Sequence, residues 1–106
     1  MNNTTQLSTG TTGLLSVASR VIMELESRFY DFELTTDYFY VVAYQKASKS
    51  LRLQGDFDSK IVRTIQQCLG ESFYINSSGF AELQTTINYT DVNNELIFVK
   101  IEITLT

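Results

Sequence analysis

The sequence predicts an α+β domain: an antiparallel or mixed sheet of four to five strands ending in a long C-terminal β-hairpin, with two helices packed on one face. Three observations predict it. The last quarter of the chain alternates apolar and polar residues in two long runs. Two earlier stretches carry apolar residues at helical spacing. The remaining strand-like runs are separated mostly by short turns, which join antiparallel neighbours.

Residues 1–12 are small and polar apart from Leu7 and show no periodicity, so they are expected to form a flexible arm ahead of one domain over 13–106. Two readings stand for this arm: a disordered terminus, or a segment that orders on a neighbouring subunit with Leu7 as its anchor. Thr12 can cap a helix that begins at Gly13 or Leu14. In that helix Leu14, Ala18, Val21, Leu25 and Phe29 recur on one face, joined by Leu15 and Ile22, over about four turns. Tyr30, Phe32 and Leu34 then alternate with Asp31, Glu33 and Thr35 and predict a short strand. Thr36 and Asp37 turn the chain into a second run, Tyr38 to Tyr44, rich in aromatic and β-branched residues. That run is apolar on both faces, which predicts a central strand or one covered by a partner.

Tyr38, Tyr40 and Tyr44 fall on one face of this run with Val42. They read either as a core face with hydroxyls at its rim or as a tyrosine stripe at a protein interface. Lys46, Lys49 and Arg52 form the one concentrated basic segment, with no acid between Asp37 and Asp56. It is a solvated loop or a contact for an acidic partner, and it leads into a short strand, Leu51 to Gln54. Asp56 or Asp58 caps a second helix over Ser59 to Leu69, whose stripe is Ile61, Ile65 and Leu69, with Gly70 as its stop. Cys68 sits beside that stripe as a small buried hydrophobe. Glu71 to Ile75 is a short strand or extended connector, and Asn76 to Gly79 is a turn. The hairpin follows: Leu83, Thr85, Ile87 and Tyr89 on one strand, Ile97, Val99, Ile101, Ile103 and Leu105 on the other, with Asp91, Asn93 and Asn94 between them. Its opposite face carries Leu96 and Phe98 before the polar residues begin.

Composition narrows function mainly by exclusion. The chain has 106 residues, 43% of them apolar, which suits one small globular domain. It has no histidine, the usual general base and the commonest metal ligand, and a single cysteine. A catalytic thiol at Cys68 would therefore lack its usual base. The five glycines form no phosphate-binding fingerprint. No catalytic, cofactor-binding or metal-binding residue is expected, nor a small-molecule substrate. The net charge of −4 and the absence of basic residues among the Tyr38–Tyr44 aromatics argue against nucleic acid. No run approaches the roughly 20 apolar residues that span a bilayer, and the first thirty residues lack a basic start followed by an apolar core. The expected location is the cytoplasm, or a particle packaged from it, without secretion or membrane insertion.

Two stretches resemble the phage contractile-tail baseplate wedge family, the T4 lysozyme-like wedge proteins. One is Leu14-Leu15 followed by Ser27-Arg28-Phe29-Tyr30-Asp31-Phe32-Glu33, similar to that family's turn after its first helix. The other is the helix from Asp58 to Leu69 leading into the terminal hairpin, with Ile97 to Ile103 as last strand. The chain departs from the family pattern in having no proline and in reading Gly70-Glu71-Ser72 where a Glu-Pro-Arg motif is expected. The resemblance implies an assembly role without catalysis.

The expected function is therefore a non-catalytic structural subunit of a phage tail, baseplate or connector. Its partners would be other protein subunits, as a homo-oligomer, a hetero-assembly or both. The alternative is a small acidic inhibitor or adaptor, anti-CRISPR-like, that binds a host protein. An enzyme using only Asp, Glu, Ser or Tyr ranks last. The candidate interface residues are Leu7, Tyr38, Tyr40, Tyr44, Lys46, Lys49, Arg52, Leu96 and Phe98.

Overall fold

A computed structural model describes residues 17–106. Leu7 and the predicted start of the first helix lie outside the described residues. Helix α1 covers residues 17–30 of the described chain. A 3-10 turn, Thr36–Tyr38, leads to strands β1 (Val41–Gln45) and β2 (Ser50–Gly55). Helix α2 (Ser59–Leu69) follows, then β3 (Tyr74–Ile75), β4 (Ala81–Thr90) and β5 (Leu96–Leu105). The five strands form one mixed sheet in the order β1-β2-β5-β4-β3. Only β2 and β5 are parallel; the other pairs are antiparallel. The predicted α+β class holds.

Both helices lie on one face of the sheet. Val21, Leu25 and Phe29, spaced by four, put a continuous stripe of α1 into the core, each of them fully buried. Helix α2 adds Ile65, with Ile61, Val62, Cys68 and Leu69 packed around it. The sheet answers with Leu51 and Leu53 from β2, Val99, Ile101, Ile103 and Leu105 from β5, and Leu83, Ile87 and Tyr89 from β4. Alternation places these odd-numbered residues on the covered face and the even-numbered ones on the open face.

Helix α2 has the bounds its sequence predicts because both caps are chemical. The Asp58 carboxylate accepts from the Lys60 and Ile61 amides at 2.8 and 3.1 Å, satisfying two otherwise orphan donors. Gly70 takes φ +72 and its amide donates to the Gln66 carbonyl. Gly55 is needed for a different reason. A Cβ there would meet the rings of Tyr38 and Phe39 at 3.0 and 3.1 Å.

Two expectations fail. The predicted strand from Tyr30 to Thr35 is instead the end of α1 and a Schellman closure. The Leu34 amide donates to the Phe29 carbonyl and the Glu33 amide to the Tyr30 carbonyl. Buried Leu34 sits with buried Phe29, the apolar contact that accompanies this motif. Glu33 occupies the left-handed position, φ +56, which glycine usually fills. Glu33→Gly is therefore expected to stabilise the fold by roughly 0.5–1 kcal/mol, less than the full left-handed penalty because glycine also loosens the unfolded chain. Urea denaturation should show a higher midpoint at unchanged slope; a lower midpoint would refute the assignment of strain to Glu33.

The second failure concerns Tyr38 to Tyr44 as a central strand, one of its two expected settings. Only Val41 onward is strand, and it lies at the sheet edge. The short turn over residues 46–49 forces β1 beside β2, and β5 already occupies the other side of β2. Tyr38 belongs to the 3-10 turn, where its hydroxyl donates to the Asp56 carbonyl.

Candidate interaction surface

The open face of the sheet is a set of cross-strand rows built by the register. Ala43, Arg52, Glu102 and Gln84 make one row, and Gln45, Ser50, Lys100 and Thr86 the next. Beyond these, only the hairpin continues, with Phe98 opposite Asn88 and Leu96 opposite Thr90. Most of the face is polar and internally bonded. Glu102 lies 3.6 Å from both Arg52 and Lys100. Such exposed pairs contribute little stability, about 0–1 kcal/mol. At the short β3 strand, Tyr74, Asn76 and Gln84 all donate to the Glu82 carboxylate. The Tyr74 hydrogen bond, then that from Asn76, holds the Glu82 carboxyl below its ordinary range. The same bond pushes the Tyr74 phenol up.

The apolar exception is the distal half of the hairpin. Leu96 and Phe98 are each 55% exposed on the open face, and Val92 at the tip is 88% exposed. The tip is fixed by Asp91, whose carboxylate accepts from the Asn93 and Glu95 amides, and by Asn94 in the left-handed conformation, φ +61. Among the described residues, the strand edge beside Leu96 and Phe98 is also free. Lys100 donates its amide to the Lys49 carbonyl, so even-numbered residues of β5 turn their peptide groups toward β2. Strand β2 begins at Ser50, opposite Lys100. Leu96 and Phe98 therefore present peptide groups past the end of β2, where no strand of the described residues pairs with them. Natural sheets usually shorten, charge or cover such edges.

The register also gathers residues that are far apart in sequence. The 46–49 turn ends beside this free edge: the Lys49 carbonyl accepts from the Lys100 amide, and Lys46 stands across the same turn, its carbonyl accepting from the Lys49 amide. Neither Lys46 nor Lys49 makes an ion pair among the described residues. Lys49 is in the left-handed conformation, φ +49, which closes the turn. Of the sequence-predicted residues, the structure brings the turn that holds Lys46 and Lys49 to the strand edge that carries Leu96 and Phe98. Arg52 lies two residues farther along β2 and is paired with Glu102. Tyr44 packs half-buried against the core, near Tyr89. Tyr38 is half-buried against Phe39 at the other end of the sheet, with ring centroids 5.4 Å apart in an edge-on contact. Tyr40 is exposed there too, its hydroxyl 3.0 Å from that of Thr106. The three tyrosines thus do not form one stripe.

Val92 and Lys100 belong to this surface and were not picked out from sequence. Val92 had a local signal, an apolar residue inside an Asp-Asn turn. Lys100 had none, since only pairing with β2 puts it near Lys49.

Helix α1 borders the same region. The Arg20 guanidinium lies 5.3 Å from the Tyr89 ring centre and donates to the Thr90 carbonyl at 3.0 Å. Burial pushes the Tyr89 phenol up. Elsewhere the surface holds two shallow polar grooves of about 400 and 440 Å³, which meet at Glu71. The Cys68 thiol donates to the Arg28 carbonyl at 3.1 Å, and burial pushes it up, away from the thiolate form that a nucleophile needs. Among the described residues no group of three His, Cys, Asp or Glu side chains is placed to hold a metal ion. Nor is any described helix long and apolar enough to cross a membrane. Comparison with protein-family models, curated proteins and solved structures finds no match to the chain.

Proposed function

We propose that the chain is a non-catalytic structural subunit of a larger protein assembly, in the specific form of a phage tail, baseplate or connector component. The observation that carries the reading is the distal hairpin. Among the described residues, Leu96 and Phe98 stand on an uncovered sheet face beside an unpaired strand edge, a combination that a partner subunit would cover. The phage form of the reading rests on the resemblance of helix α2 and the terminal hairpin to the baseplate wedge family. The partners are other protein subunits, copies of this chain among them.

A second reading has its own support. Asp37, Asp56 and Asp58 lie together around Tyr38 at the far end of the sheet, an acidic surface suited to an adaptor or inhibitor of a basic host protein. Two measurements separate the readings. Light scattering of the purified chain over a range of concentrations should give masses above the monomer. Mass spectrometry of purified phage particles from the same cells should find the chain as a stoichiometric component. A monodisperse monomer, absent from particles and held tightly by a basic host protein, would replace the first reading with the second.

A further inference from the structure

The two ends of the sheet are chemically opposite. One end carries Leu96 and Phe98, with the turn that holds Lys46 and Lys49 at the adjoining edge of the sheet. The other carries the segment Asp56-Phe57-Asp58, an exposed phenylalanine between two exposed acids. Phe57 is 56% exposed, although its amide is anchored to the Thr106 carbonyl at 2.9 Å. Asp58 uses one carboxylate oxygen to cap α2, which fixes the segment's course. Neither Asp56 nor Asp58 makes an ion pair among the described residues. Gly55 is in register with Leu105, so strand β5 separates the two ends by about 30 Å at ~3.3 Å per residue. One copy cannot satisfy itself across that span.

We infer that a second copy of this chain is the occupant of the hairpin surface, and that it docks head to tail. Phe57 of one copy packs on Leu96 and Phe98 of the next, while Asp56 and Asp58 face Lys46 and Lys49. The proposal rests on the assembly reading above and names its partner. The charges also decide the geometry. A symmetric pairing of two hairpin surfaces would bring lysines 46 and 49 of both copies together, and like charges at such an interface are repelled. A head-to-tail contact pairs opposite charges and leaves a free end at each side. Repetition then gives a ring if the rotation closes and a filament if it does not.

A charge-reversal cycle tests this. Lys46→Asp and Asp56→Lys are both at exposed positions outside the caps. Each single variant is expected to weaken self-association at least tenfold by analytical ultracentrifugation. The chain carrying both changes should recover most of the wild-type association, because every contact again joins opposite charges. Added salt should weaken the wild type and the doubly changed chain alike. Circular dichroism and thermal melting should be the same for all four proteins. Self-association that is indifferent to both single changes would overturn the head-to-tail contact and leave the assembly reading standing. So would a Lys46→Asp chain that associates more tightly, since that is the signature of the symmetric pairing. A wild-type chain that is monomeric at every concentration would overturn the inference. The assembly reading itself falls only if the chain is also missing from particles.

Discussion

Phe29→Ala is expected to destabilise the domain by about 3–5 kcal/mol, a large part of the roughly 5–15 kcal/mol that holds a small domain together. Three functions meet at this ring. It is fully buried at the end of the α1 stripe, and it stands beside Phe39 with ring centroids 6.4 Å apart. Its carbonyl accepts from both the Phe32 and Leu34 amides at the helix terminus. Truncation leaves a cavity and removes the side chain on which Leu34 closes the helix. Phe32→Ala, three residues on, is the control and should cost less than about 1.5 kcal/mol, since Phe32 is 38% exposed and stands outside the buried core. Urea denaturation of both variants gives the comparison. Equal losses, or a Phe29→Ala cost near that of the control, would mean that α1 is not packed on the sheet as described.

The second large effect concerns association rather than folding. Replacing Leu96 and Phe98 together by threonine keeps strand propensity and the β4–β5 pairing, because both side chains stand on the open face. Monomer stability should change little. Covering two half-exposed apolar side chains contributes about 2–3 kcal/mol, so self-association should weaken roughly 30- to 140-fold. Sedimentation of the variant against wild type reads this directly. Association unchanged within a factor of about three would show that the hairpin surface is not the contact, whatever else the chain assembles through.

Local chemistry made much of the fold legible. Asp58 and Gly70 bracket α2, and each end carries a residue whose side chain or backbone freedom specifies a cap. The hairpin was legible because its alternation runs through both strands and stops at Asp91 and Asn94. The end of α1 was not legible. Tyr30, Phe32 and Leu34 alternate, and the left-handed position that closes the helix holds glutamate, which gives no turn signal. The edge position of β1 was hidden for another reason. Its aromatic content suits a buried strand, while sheet order follows from which strand β5 joins. The interaction surface was legible only in parts. Leu96 and Phe98 were visible as apolar residues on the polar side of a strand, and Lys46 and Lys49 as a basic run. Their proximity depends on the β2–β5 register, a pairing between residues fifty positions apart that no local pattern encodes.

That same pairing sets an order in time. The β4–β5 hairpin closes across a few residues and can form within microseconds. Bringing Ser50 to Lys100 closes a loop about ten times longer, which costs about 2 kcal/mol more in chain entropy. Strand β2 is thus expected to reach β5 late. In pulse-labelled hydrogen exchange, the amides of Ile101 and Ile103, which turn toward β4, should gain protection before those of Lys100 and Glu102, which turn toward β2. Simultaneous protection would rule out this sequence of events. Until β2 arrives, the whole flank of β5 is open to any β1–β2 hairpin nearby. In a crowded cell during synthesis, the one that docks first can belong to a sister chain, and copies that exchange this hairpin would leave the ribosome already intertwined.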